Sequence, residues 1–167
     1  MLKSTSLALL FAVLLATPAA AQNTIFLVRH AERADTSQGT SPRLGADPDL
    51  SAAGRARAES LASVLKDAHI TAIYATEFKR TQQTAAPLAK ALGLTVKIVT
   101  PKSAAALIEQ LKTERSNVLV VGHSNTVPDV IKDLGVTTRV TIGEDDFDNL
   151  FLVTTGARPS LLRLHYR

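Results

Sequence analysis

The chain has 167 residues, a formal net charge of +4 at pH 7 and no cysteine. That length fits one domain, and the missing cysteine excludes disulfides, thiol chemistry and a cysteine-linked lipid. The charge is too mild, and two tyrosines and five phenylalanines too few as stacking platforms, for a nucleic-acid binder; the balance suits a small anionic substrate instead.

The first segment has the layout of a secretory signal peptide. Lys3 supplies a short positive region, Leu7 to Ala16 is apolar, Thr17-Pro18 breaks the run, and Ala19-Ala20-Ala21 offers a small-residue cleavage site before Gln22. The apolar run is shorter than the roughly 20 residues that span a bilayer. The expectation is cleavage after Ala21, no stable membrane insertion afterwards, a periplasmic or secreted location, and a single domain over residues 22–167.

The remainder alternates short apolar runs with helical stretches. Thr24 to Val28 reads as a buried strand, and residues 31–49 as a long polar loop with Gly39, Pro42, Gly45 and Pro48. Ser51 is an N-cap for a helix to about Asp67. Ala72 to Ala75 is a second strand, followed by a helix from Phe78 to Leu92 that stops at Gly93. Thr95 to Val99 and Val118 to Val121 are further strands. Ser103 to Glu114 and Pro128 to Leu134 are further helices, and Asn149 to Thr154 with Leu161 to His165 form a terminal hairpin. This order predicts an α/β domain, a three-layer α/β/α sandwich with a mainly parallel sheet and a C-terminal antiparallel edge.

In such sheets ligands bind beyond the carboxyl ends of the strands. The first run ends in Arg29-His30, the second leads to Arg80 on the opening turn of its helix, and the fourth ends in Gly122-His123-Ser124. Two arginines and two histidines thus converge on one edge. The guanidinium fork matches phosphate oxygens, a neutral imidazole is a nucleophile for phosphorus, and a second imidazole can hold a phosphoryl oxygen. His69, in a helix-to-strand turn, and His165, in the last strand, read as structural.

These residues resemble the histidine phosphatase superfamily, the phosphoglycerate mutase-like group, in its compact branch-1 form. Val28-Arg29-His30-Ala31-Glu32 resembles the nucleophile motif. Tyr74 to Thr81 with Thr84-Ala85 resembles the segment of the second arginine, Gly122-His123-Ser124 the second histidine motif, and Leu50 to Ala58 the first helix. The resemblance implies hydrolysis of a phosphomonoester or phosphoramidate through a phosphohistidine on His30. Arg29, Arg80 and His123 would hold the phosphoryl oxygens, and no cofactor or metal would be needed. The partner would be a small phosphorylated substrate or a phosphoprotein.

The chain departs from the family pattern in two respects, the residue after the nucleophile and the general acid. Ala31 stands where the family has glycine. No carboxylate lies between Thr95 and Ala106, where relatives carry a glutamate general acid, and Ser124 stands where another branch has aspartate. The run Glu144-Asp145-Asp146-Asp148 reads as a solvated turn or as an acid source, with Glu32, Asp47, Asp49 and Glu77 as further candidates. Without an acid, good leaving groups are preferred, as in the short phosphohistidine phosphatases that the chain resembles. The alternative is a non-catalytic phosphate-binding module of the same fold.

Overall fold

The computed structural model describes residues 23–34 and 47–167. The expected signal peptide and most of the long first loop lie outside the described residues. The elements are β1 (Thr24–Arg29), α1 (Ala52–Leu65), β2 (Ile70–Thr76), α2 (Lys79–Leu92), β3 (Val96–Val99), α3 (Ala104–Thr113), β4 (Asn117–Gly122), α4 (Thr126–Asp133), β5 (Asn149–Thr154) and β6 (Ser160–His165). No helix among the described residues is long and apolar enough to cross a membrane.

One six-stranded sheet runs in the order β3-β2-β4-β1-β5-β6. The first four of these strands pair in parallel, and β5 and β6 add an antiparallel edge beside β1. The central strands are buried on both faces, which is why their sequences are continuous apolar runs. Alternate side chains serve opposite layers. Phe26, Val28, Ile73, Ala75, Leu119 and Val121 pack with Leu61 and Leu65 of α1 and with Ala85 and Leu88 of α2. Ile25, Leu27, Ala72, Tyr74, Val118 and Val120 pack with Leu107 and Leu111 of α3 and with Val127 and Ile131 of α4. This is the expected three-layer sandwich.

Local signals set the helix ends. Ser51 accepts from Gly54 N at 3.0 Å and caps α1. Gly93 closes α2 at φ 65°, in the left-handed region. The α4 helix starts two residues before the expected Pro128. First-turn N–H groups have no helical acceptor, so Pro128 sits there without losing a bond. The Thr126 hydroxyl instead accepts from His123 N at 2.9 Å. The β2 strand begins at Ile70, immediately after His69, whose φ of 52° turns the chain out of α1.

Gly54 is the point of closest approach between α1 and the segment that follows β1. A methyl group there would lie 2.2 Å from the Glu32 carbonyl oxygen. The same carbonyl accepts from Ser51 N at 2.9 Å. Backbone is on both sides of this contact and neither side can swing away. Gly54→Ala is therefore expected to destabilise the fold by about 1–3 kcal/mol, as overpacking does. Urea denaturation measures it directly, and an unchanged midpoint would contradict the contact.

Candidate active site

The parallel strands deliver their carboxyl ends to one edge. Arg29 pairs in register with Gly122, so His30 and His123 are neighbours across the β1–β4 boundary. Because β4 lies between β1 and β2, His123 also faces Thr76 at the end of β2. Arg80 enters from the first turn of α2.

His30 is 5% exposed. Its backbone N–H donates to Gly122 O at 2.9 Å, and its Nδ1 lies 2.8 Å from Ala31 O. A carbonyl only accepts, so Nδ1 carries the proton and Nε2 keeps its lone pair. Burial pushes the His30 pKa down to about 3; the Ala31 carbonyl opposes this, and the charges of His123, Arg80 and Arg29 add to it. The imidazole is neutral at any ordinary working pH. Ala31 is buried with Leu50 and Ala58, and its N–H donates to Thr84 Oγ1 at 2.9 Å. Among the described non-glycine residues only His69 has positive φ, so the backbone at 31 needs no glycine.

Arg29 is 7% exposed and reaches across to the segment before β5. Its Nη1 donates to Gly143 O at 2.7 Å and Glu144 O at 2.8 Å, and its guanidinium lies 4.1 Å from the Phe147 ring centroid. Its Nε is buried with no protein hydrogen-bond partner. Burial lowers the Arg29 pKa, and the carboxylates of Glu144, Asp146 and Asp145 oppose that shift. Arg80 stacks 4.3 Å over Phe78, and its Nη1 lies 3.6 Å from Asp47 Oδ1. Phenylalanine thus flanks both guanidinium groups.

His123 stands edge-to-face against His30 and against Phe78, with ring centroids 5.3 Å apart in each case. Its Nε2 is 2.9 Å from Thr76 Oγ1, which is 2.9 Å from Thr81 Oγ1. Thr81 donates to Phe78 O at 2.7 Å. That carbonyl sets the direction of the chain: Thr81 gives its proton to Phe78 O, Thr76 gives its own to Thr81, and His123 Nε2–H donates to Thr76. Burial, with Arg80 and Arg29, lowers the His123 pKa to about 4.

The structure therefore brings Arg29, His30, Arg80 and His123 together. His69 is exposed at its turn, and His165 is 3.1 Å from Asp148 on the exposed edge. The candidate acids separate by what they touch. Glu32 is held by Arg57 Nε and Nη2 at 2.6–3.0 Å, and Asp49 accepts from Gln83 at 2.9 Å. Asp146 accepts from Gly143 N, and Asp47 binds the start of α2. Glu144 and Asp145 are exposed beside Arg29, and Glu77 lies beside Phe78. Among the described residues no group of three or more His, Asp or Glu side chains is placed to hold a metal ion.

Sequence reasoning gave no role to Phe78, Phe147, Thr76 and Thr81; the first three touch a predicted site residue, and Thr81 is linked to His123 through Thr76. Thr76 and Phe78 had a usable signal in their place at the end of β2 and the start of α2. Phe147 had none, because its approach to Arg29 depends on tertiary folding.

Comparison with known proteins agrees with this geometry. Residues 25–101 match the family model described as "Histidine phosphatase superfamily (branch 1)". A 72-residue stretch is 42% identical to "Phosphoserine phosphatase 1" of Hydrogenobacter thermophilus, covering 43% of this chain and 34% of that protein, so the match spans about a third of the relative's length. The fold is similar to "a putative alpha-ribazole-5'-P phosphatase" from Escherichia coli K-12, with TM-score 0.68 at 16% identity over 85% of this chain and 95% of that one. It is also similar to "the protein histidine phosphatase SixA complexed with tungstate", with TM-score 0.65 at 17% identity over 85% and 96% of the two chains. A third is the mycobacterial glucosyl-3-phosphoglycerate phosphatase Rv2419c, with TM-score 0.66 at 16% identity over 84% and 97%. Residues 25–101, somewhat under half of the chain, are thus similar to the histidine phosphatase superfamily, branch 1, and the fold built around them is shared with these solved structures.

Proposed function

We propose that this protein is a phosphatase that hydrolyses a phosphomonoester or phosphoramidate through a phosphohistidine on His30. The observation that carries the reading is the bare Nε2 of His30, left by the Nδ1 contact to Ala31 O and set among Arg29, Arg80 and His123. The similarity to phosphatases supports the same reading. In the first step the Nε2 lone pair forms the N–P bond and the leaving group departs with the electrons of its bond to phosphorus. In the second, water attacks the phosphoryl group, loses a proton, and returns the N–P electrons to Nε2. Arg29 and Arg80 offset the charge of the equatorial oxygens in both transition states.

Among the described residues the carboxylates around the site are either held by other partners, Asp47 by Lys79 N and Arg80 and Glu32 by Arg57, or exposed, as Glu77, Glu144 and Asp145 are. Substrates whose leaving group needs little protonation, such as phosphoramidates, acyl phosphates and aryl phosphates, are therefore favoured. The same observation favours a second reading, a phosphate-binding module without turnover. The test is incubation with phosphoramidate and with aryl phosphate, quenching in alkali, and mass spectrometry of the peptide containing His30. An acid-labile phosphoryl group on His30 together with phosphate release is expected. Phosphate binding with neither would give the second reading its place.

Export is part of the proposal and rests on the layout of residues 1–21. N-terminal sequencing of the mature protein is expected to begin at Gln22.

A further inference from the structure

A cavity of about 530 Å³ lies between α3 and α4, beneath the carboxyl ends of β2, β3 and β4. That volume is in the range of sites for small organic ligands. It is continuous with the catalytic edge, because Thr76, Phe78, Gly122 and His123 form one of its walls. The other walls are apolar, from Val99, Ala105, Ile108, Val127 and Val130 among others. Among the described residues no lysine or arginine lines it, and the charged ones that do are the carboxylates of Glu77, Asp129 and Asp133. Phe78 stands where cavity and site meet, 36% exposed, against both Arg80 and His123.

We propose that this cavity takes the body of the substrate, and that the body is an apolar aryl or alkyl group without a second negative charge. The proposal rests on the phosphatase reading for the position of the phosphoryl group. Arg29 and Arg80 are committed to that group. A carboxylate or second phosphate on the body would lose hydration among largely apolar walls whose charged members, among the described residues, are three carboxylates of its own sign. An uncharged ring or chain would exchange water for Val127, Val130 and Ile108 and gain from the transfer. The site would thus discriminate by charge on the leaving group, not only by the presence of phosphate.

The test compares kcat/KM for 1-naphthyl phosphate, phosphoserine and phosphoramidate in the wild type and in Ala105→Trp. Ala105 is exposed on α3 and outside the catalytic machinery, so a larger side chain fills the cavity without disturbing the core. Naphthyl phosphate is expected to exceed phosphoserine by about 10–100-fold, within the range that pocket contacts supply. Ala105→Trp is expected to lose most of that advantage through KM and to leave phosphoramidate turnover unchanged. Equal use of the two esters, or a variant with an unaltered profile, overturns the inference. If no substrate is turned over, the phosphatase reading fails separately. The cavity is then judged by titrating 1-naphthol and following methyl resonances of Ile108, Val127 and Val130. Shifts confined to them support it, and unmoved resonances overturn it.

Discussion

Replacing His30 by alanine is expected to lower phosphate release by about 10⁴-fold or more, the scale seen when a nucleophile is deleted from a unit that acts together. The expectation follows from how little else at the edge can attack phosphorus. Arg29 and Arg80 are cations without lone pairs, and His123 carries its proton on Nε2, the nitrogen held by Thr76, whereas His30 is held through Nδ1 and leaves Nε2 bare. A neutral His123 has one N–H, so it holds a phosphoryl oxygen by turning Nε2–H from Thr76 to the substrate; His123→Ala removes that donor and is expected to cost less, about 10²–10³-fold, as for one donor to a developing oxyanion. The pH profile separates the two roles. With the His30 pKa at about 3, the nucleophile stays deprotonated at Nε2 from pH 8 down to pH 5. Over that range kcat/KM should not fall through protonation of His30; such a fall belongs nearer pH 3–4. A loss of activity centred near pH 6.5, absent from a variant that restores an uncharged donor at 123, would assign the titration to His123 instead. Stopped assays on an aryl phosphate, whose leaving group needs no acid, keep that profile free of leaving-group effects.

The parts of the fold that are legible in the sequence are those with a local cause. Runs such as Val118 to Val121 are apolar at every position because both faces of β4 are covered, and Ser51 and Gly93 mark helix ends by their own chemistry. The rule that ligands gather at carboxyl strand ends then selects Arg29, His30, Arg80 and His123 without any knowledge of strand order. Strand order is not legible, since the insertion of β4 between β1 and β2 depends on α3 crossing to the other face. Nor is the support of Arg29. Its partners are backbone carbonyls at Gly143 and Glu144, 114 and 115 positions away, and a carbonyl has no sequence signature. By its side chains the acidic run reads as a solvated turn or a source of acid. Glu144 and Asp145 are exposed, as in a turn, but the backbone carbonyl of Glu144, with that of Gly143, is what holds the arginine. Phe78 and Phe147 escape notice for a similar reason: an isolated phenylalanine reads as core until a guanidinium is found lying on it.

The site also sets how the fold should respond to acid. His30 and His123 have folded-state pKa values of about 3 and about 4, against an ordinary value near 6.5. Both are lowered chiefly by burial, so the folded protein refuses protons that the unfolded chain accepts. Below pH 6.5 the unfolded state binds more protons, and stability falls as pH falls. Above pH 6.5 both states hold neutral imidazoles and the effect vanishes; below the folded values both are charged and the loss levels off. Each pH step over which only the unfolded imidazole takes up its proton costs about 1.4 kcal/mol, so at pH 4 each histidine is expected to cost about 3 kcal/mol relative to pH 7. Against a typical total of about 5–15 kcal/mol, that loss is a sizeable share of what holds a domain folded. Urea midpoints between pH 7 and pH 4, in buffers without phosphate, measure the slope. A His30→Gln/His123→Asn double variant supplies the control, because neither replacement titrates. Its midpoints should change much less over the same interval, even if it is less stable at pH 7. Parallel slopes in the two proteins would place the acid sensitivity elsewhere and would mean that the imidazoles at the strand ends are better hydrated than their burial implies.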